Sequence, residues 1–236
     1  MKKILASDYD NTFYINDQDI YRNIENVNKF RKKGNIFIMA TGRSYKDFNE
    51  KLLEYPIKYD YLIINQGATI LDNQGNIIKN YPISEEVKKE LIFKMNLNDG
   101  DNMFSCSKLD SRVSIKSNNI TKIHRKYETL EETKKVSNDI NRDYCNHVVS
   151  YVLPNSKAVE VISAETNKAK AIEIIAKLEN VEKEQIYTIG DSYNDIEMLK
   201  EFKGNCMEIS EVEIYDICEK KYKSVSDLII ELENEM

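Results

Sequence analysis

Four short segments hold the residues best suited to chemistry. Asp8-Tyr9-Asp10-Asn11-Thr12 places two carboxylates two residues apart, just past the apolar run Ile4-Leu5-Ala6. Neighbouring carboxylates repel each other unless a cation or a proton intervenes. Oxygen ligands with few His or Cys nearby suit Mg²⁺. Thr41-Gly42-Arg43 follows a second apolar run, Ile36 to Ala40. A hydroxyl and free backbone amides at a helix start can bind phosphate oxygens. Lys168 opens an amphipathic stretch, where a cation opposes the helix dipole and a purely structural choice would be an acid. Gly190-Asp191-Ser192-Tyr193-Asn194-Asp195 follows a third run, Ile186 to Ile189. Helix capping accounts for one of its two carboxylates and leaves the other unexplained. Taken singly, each segment reads equally well as a turn, a cap or a solvated lysine.

The surrounding pattern decides whether these segments meet. Ile36–Ala40 and Tyr61–Ile64 are continuous apolar runs bounded by turn signals, as in strands covered on both faces of a parallel sheet. Helical spacing recurs around Val27 and Phe30, over Tyr45 to Leu53, at Ala171, Ile172, Ile175 and Leu178, and at Ile196, Leu199 and Phe202. Ile70-Leu71 and Ile77-Ile78 flank a hairpin signal at Asp72 to Asn76. The alternation predicts an α/β fold with a doubly wound, Rossmann-like parallel-sheet core. The middle differs. Helices over 85–96 and 130–144, each followed by two strands (103–106 and 113–115; 148–153 and 159–162), predict a small inserted α+β domain of two helix-strand-strand units. The expected division is a core of 1–82 and 165–236, with 83–164 inserted. In a parallel sheet the strand ends share one rim, beyond which ligands bind. Asp8, Asp10, Asp191 and Asp195 would then converge with Thr41 and Lys168. Four crowded carboxylates need a divalent cation, and a lysine and a hydroxyl beside them need an anion. Together they describe a Mg²⁺ site that holds a phosphate.

At this point the sequence resembles the haloacid dehalogenase-like hydrolase superfamily, in its Cof-type, IIB-cap branch. The resemblance covers nearly the whole chain. The family's D-x-D-x-T motif matches Asp8, Asp10 and Thr12, and its Ser or Thr after the next core strand matches Thr41. Its Lys opening a helix after the cap matches Lys168, and G-D-x-x-N-D matches Gly190, Asp191, Asn194 and Asp195. The 127 residues from Thr41 to Lys168 leave room for a cap where this branch keeps it, and Asn65-Gln66-Gly67-Ala68 resembles the lead-in to that cap. Asn11 stands where many relatives have Gly, and Phe13 where many have Leu. Asn tolerates left-handed backbone geometry better than most residues. The resemblance implies that Asp8 is a nucleophile forming an aspartyl phosphate and that Asp10 is the general acid and base. It implies that Thr41, the Gly42 amide, Lys168 and Asn194 hold the phosphoryl oxygens. Asp8, Asp10 and Asp191 are implied to bind Mg²⁺, with Asp195 orienting the ligands. The expected activity is Mg²⁺-dependent hydrolysis of small phosphorylated metabolites such as sugar phosphates, by a phosphatase. Phosphoryl transfer to a sugar hydroxyl on the same fold, and a phospho-accepting regulator, are the alternatives.

Other features set limits. Lys and Arg number 34 against 40 Asp and Glu, a net charge of −6, which argues against a broad nucleic-acid groove or a polybasic membrane patch. No apolar run approaches the roughly 20 residues of a spanning helix, and Ile4-Leu5-Ala6 is too short for a secretory leader. A cytoplasmic protein with reduced thiols at Cys106, Cys145, Cys206 and Cys218 is expected. The sequence sets no oligomeric state. His124 and His147 lack a paired Ser or Cys motif and read as ordinary polar residues. Asn98 to Asn102 hints at a calcium loop, but the ligand spacing fails, so it reads as a turn. Arg112 and Lys116, if they share a strand face opposite Val113 and Ile115, could contact substrate, or could simply be solvated. Arg43, beside the site, is the better candidate for such a contact.

Overall fold

The structure is a computed structural model and describes residues 1–100, 102–210 and 212–234. Five strands open the chain: β1 (Ile4–Ser7), β2 (Ile36–Ala40), β3 (Tyr61–Ile64), β4 (Thr69–Asp72) and β5 (Ile77–Asn80). Five more follow in the middle: β6 (Met103–Ser107), β7 (Asp110–Val113), β8 (Lys122–Lys126), β9 (Val148–Leu153) and β10 (Ala158–Ser163). The last three are β11 (Ile186–Gly190), β12 (Lys203–Met207) and β13 (Lys220–Tyr222). The helices are α1 (Asp17–Lys32), α2 (Tyr45–Glu54), α3 (Glu85–Lys94), α4 (Leu130–Asp143), α5 (Lys168–Glu179), α6 (Ile196–Glu201), α7 (Val212–Tyr215) and α8 (Val225–Asn234). Among the described residues no helix is long and apolar enough to cross a membrane.

An eight-stranded sheet runs in the order β13-β12-β11-β1-β2-β3-β4-β5. Its first six strands are parallel, and β4 and β5 form the expected antiparallel hairpin at one edge. Side chains alternate across a strand, and the core divides accordingly. Leu5, Phe37 and Met39 join Val27, Phe30, Leu228 and Ile229 of α1 and α8 on one face. Ile4, Ala6, Ile36 and Ile38 join Ala171, Ile172, Ile175 and Leu199 of α5 and α6 on the other. Both faces are covered, which is why the central strands read as unbroken apolar runs.

The second sheet is antiparallel, in the order β7-β6-β8-β10-β9. It has its own apolar core, in which Leu91 of α3 and Ile140 of α4 pack with Ile123, Val159 and Val161. Two points differ from the sequence reading. A fifth strand, β8, lies at the centre of this sheet between β6 and β10, so the first unit carries three strands rather than two. The strand expected at 113–115 lies instead at Asp110–Val113, and Lys116 falls beyond it in an exposed turn. Asp99 ties that turn down, its carboxylate accepting from the Ile115 amide (2.8 Å) and the Ser114 hydroxyl (2.6 Å). Asp99, in the segment read as a turn, therefore anchors the chain that follows β7, and Asp101 lies outside the described residues.

Candidate active site

Two strand ends and one helix start supply the charged centre. Asp8 lies one residue past β1, and its amide donates to Ile189 O of the neighbouring β11 (3.0 Å). The chain then folds back: Phe13 N donates to Asp8 O and Tyr14 N to Tyr9 O, with Asn11 at φ 57°. Asn11 thus sits in the left-handed region that its side chain tolerates. Lys168, the first residue of α5 and 1% exposed, donates from Nζ to Asp8 Oδ1 (2.5 Å) and Asp195 Oδ1 (2.7 Å). Asp195 Oδ2 accepts the backbone amides of Asp191 and Ser192, both at 3.2 Å. Gly190 is required beside it, because a Cβ there would lie 2.6 Å from that carboxylate. Thr12 donates to Asp191 Oδ1 at 2.8 Å.

The charges do not balance. Asp8, Asp191 and Asp195 are buried with oxygens within 4.8 Å of one another, and the ammonium paired with this cluster is that of Lys168. Burial, followed by repulsion from Asp195, pushes the Asp191 carboxyl up to about 7, although Thr12 and Lys168 pull it back. Asp8 is raised well above the usual carboxylate range by burial and by Asp195, Asp191 and Asp10, against the pull of Lys168. Lys168 is itself raised: burial lowers it, but Asp195 and Asp8 outweigh the burial. Such an oxygen-only, over-negative cluster fits a hard divalent cation.

The centre opens into a cavity of about 820 Å³. Asp8, Asp10, Gly42, Arg43, Asp191 and Asn194 line it, whereas Thr41 and Lys168 are fully buried. The Asp10 side chain stands apart from the three clustered carboxylates. Arg43 grips it with two hydrogen bonds, Nε to Oδ2 at 2.9 Å and Nη2 to Oδ1 at 2.7 Å, and the guanidinium lies 5.4 Å from the Tyr9 ring. Thr41 Oγ1 accepts from the Arg43 amide at 3.1 Å. Arg112 and Lys116 do not reach the cavity wall. Arg112 is exposed, with its guanidinium 5.1 Å from the Phe104 ring.

The wall opposite the carboxylates comes from the second sheet, and sequence reasoning did not find it. Glu160 of β10 is paired in register with His124 of β8. Its Oε1 accepts from Lys122 Nζ (2.8 Å) and lies 3.2 Å from His124 Nδ1. Burial pushes Glu160 up, but the Lys122 ammonium and the His124 contact win, holding it at about 2. Lys122 Nζ also donates to Gly42 O at 2.5 Å, and Gln66 Nε2 donates to Glu160 Oε2 at 2.8 Å. His124 stacks on Phe104 with ring centroids 4.4 Å apart. The one signal of this wall was the burial of charge inside a strand, and Lys-Ile-His-Arg-Lys conceals it by looking like solvated sequence.

Comparison with known proteins agrees with the geometry. A protein of unknown function from Mycoplasma capricolum is 29% identical, over 87% of this chain and 89% of its own. A Buchnera aphidicola protein (subspecies Baizongia pistaciae), provisionally named a phosphatase, is 28% identical over 88% of this chain and 86% of its own. Among solved structures, a HAD/COF-like hydrolase from Plasmodium vivax superposes with a TM-score of 0.84 at 18% identity, covering 100% of this chain and 96% of that one. A haloacid dehalogenase-like hydrolase from B. subtilis gives 0.83 at 15% identity, covering 98% and 99%. The family model of haloacid dehalogenase-like hydrolases matches residues 5–113 and 99–227, and this chain belongs to that family.

Proposed function

We propose that the protein is a Mg²⁺-dependent phosphomonoester hydrolase acting on small phosphorylated metabolites, sugar phosphates among them, through an aspartyl-phosphate intermediate. The observation that carries the reading is the buried Asp8–Lys168–Asp195 ion cluster beside Asp191, set at the strand ends, with Asp8 and Asp191 lining the cavity. Residues 83–164 are taken as the cap over a core formed by 1–82 and 165–236. The proposed setting is the cytoplasm, where such metabolites occur.

Asp8 is assigned as the nucleophile and attacks phosphorus through a carboxylate oxygen. The bond to the substrate oxygen breaks, and Asp10 protonates the departing alkoxide. Asp10 then takes a proton from the water that hydrolyses the acyl phosphate. Before it can donate, Asp10 must leave the grip of Arg43, and Arg43 is placed to exchange that carboxylate for an anionic oxygen of the substrate. Thr41, the Gly42 amide, Lys168 and Asn194 are assigned to the phosphoryl oxygens. Donors and cations already in position stabilise the charge of a transferring phosphoryl group. Asp8, Asp191 and the main-chain carbonyl of Asp10 would hold Mg²⁺, because the Asp10 carboxylate is engaged by Arg43 and both Asp195 oxygens are in use. Bound there, Mg²⁺ offsets the repulsion between the Asp8 carboxylate and the phosphate. Asp195 orients Lys168 and the Asp191 turn.

The test is phosphate release from p-nitrophenyl phosphate with Mg²⁺ and with EDTA. Wild type turns over only with Mg²⁺, and Asp8→Asn lowers kcat by at least about a thousandfold, as loss of a covalent nucleophile should. Turnover that survives Asp8→Asn removes the nucleophile assignment. Wild type that binds Mg²⁺ and releases no phosphate favours phosphoryl transfer to another acceptor.

A further inference from the structure

A chain of hydrogen bonds crosses from the cap to the phosphate-holding loops, and its direction is fixed. Glu160 sits on an interior strand of the cap sheet, 4% exposed, with Oε1 on Lys122 and Oε2 accepting from Gln66 Nε2 at 2.8 Å. A carboxylate only accepts. Gln66 must therefore turn its NH₂ group towards Glu160, which turns its carbonyl the other way. That carbonyl oxygen accepts from Asn194 Nδ2 at 3.0 Å. Asn194 in turn must present its NH₂ group, and with one hydrogen on Gln66 the second remains to be given. The partner of Asn194 on its other side, the Ser192 hydroxyl, can donate or accept. It adapts to either orientation of the amide, whereas the carboxylate does not.

The backbone around Gln66 is committed to this arrangement. Asn65, Gln66 and Gly67 are three consecutive residues with positive φ, at 52°, 61° and 107°. Two non-glycine residues held there cost free energy that the local sequence does not return. What they obtain is the placement of the buried Gln66 amide against Gly42, so close that a Cβ on residue 42 would lie 2.3 Å from Gln66 Nε2. Lys122 fastens the same place from the cap side, through Gly42 O.

We infer that Glu160 and Gln66 are positioning residues: the cap carboxylate, acting through the Gln66 amide, orients Asn194 so that it offers an N–H and not a carbonyl to a phosphoryl oxygen. The inference rests on the proposed phosphate site. It makes the phosphate subsite complete only with the cap seated, which couples recognition by the cap to the grip on phosphate. Without the relay, Asn194 is free to flip and set an oxygen against an anionic oxygen.

The experiment measures the dissociation constant of inorganic phosphate by calorimetry with Mg²⁺ present, alongside KM and kcat for p-nitrophenyl phosphate. Gln66→Met, Asn194→Ala and their double variant form a cycle. Gln66→Met keeps every buried charge paired, and circular dichroism melting confirms its fold. The expected result is an approximately tenfold rise in phosphate Kd for each single variant, and a double variant no weaker than Asn194→Ala alone. A purely structural role of Gln66 would lower the melting temperature and leave that cycle additive. Glu160→Gln, which can turn an amide either way, is expected to raise Kd in the same direction by a smaller factor. A Gln66→Met Kd within twofold of wild type, or multiplicative effects in the double variant, overturns the inference. Wild type that neither binds phosphate nor hydrolyses the ester overturns the reading of the site with it, whereas wild-type binding with unmoved variants overturns the relay alone.

Discussion

Asp191 is the residue at which the proposed metal, a proton and the fold meet. Its folded carboxyl titrates near 7, against an ordinary value of 3.8. Below about pH 4 the group is protonated whether the chain is folded or not, and it contributes no pH dependence. Between there and about 7 the metal-free folded form holds a proton that the unfolded chain has released. Stability therefore falls as pH rises through that window and levels off above the folded value. Asp8 is shifted in the same sense. A cation must displace these protons, so Mg²⁺ affinity is expected to rise with pH, by about tenfold per unit up to about pH 7 for the proton held on Asp191 alone. Calorimetric titrations with Mg²⁺ between pH 5.5 and 8 read this slope, and a pH-independent affinity would contradict it. Thr12 adds a second prediction, since its hydroxyl fixes Asp191 Oδ1. Thr12→Val should weaken Mg²⁺ binding about 10- to 100-fold, as loss of a partner that orients a metal ligand does. Excess Mg²⁺ should then restore kcat.

The active-site loops are only as well placed as the elements that end in them. The Asp195 turn runs directly into α6, and α6 packs on β12 so closely that Gly204 carries no side chain for a reason. A Cβ there would lie 2.0 Å from Leu199 O, a backbone atom that cannot swing aside. Gly204→Ala is expected to cost about 1–3 kcal/mol or more, as overpacking does, and to lower activity by shifting the Asp195 turn. Urea unfolding read beside kcat checks both effects. The same strand shows where the sequence was legible. β1, β2, β3 and β11 were readable because they are apolar on both faces. β12 begins Lys203-Gly204-Asn205 and β13 is Lys220-Lys221-Tyr222, so neither carries an apolar run, and their register comes from tertiary pairing. β8 was hidden for the opposite reason. Lys122 and His124 look like solvent-facing residues until Glu160, 38 positions from Lys122, meets both across the sheet. The carboxylates and Lys168 were legible because each follows an apolar strand or opens a helix. Gln66 and Glu160 could not be, because their role exists only where cap and core meet.

Across the whole molecule, two apolar cores are joined by a junction of different character. The core proper is assembled from both ends of the chain, and the cap core of Leu91, Ile123, Ile140, Val159 and Val161 is separate from it. The buried apolar cluster between them is small, with Ala68 of the core against Tyr151 and Ile162 of the cap. Leu109 of the cap packs, partly buried, against the core cluster, and polar links run from Lys122 to Gly42 and from Glu160 to Gln66. Apolar burial supplies most of the cooperativity that welds parts into one unfolding unit, at roughly 25 cal/mol per Å² removed from water, and charged contacts supply less. The two bodies should therefore separate when one is weakened. Ile140 is fully buried in the cap core, in a helix that does not line the cavity. Ile140→Ala is expected to destabilise the cap by about 2–5 kcal/mol and to split calorimetric unfolding into a lower transition for the cap and an unmoved one for the core. The proposed Mg²⁺ ligands all belong to the core, so saturation at 100 times Kd should raise the upper transition by about 2.7 kcal/mol of stability. It should leave the lower one where it was. A single transition that moves as one body under both changes would show instead that the polar junction couples cap and core as tightly as a shared core would.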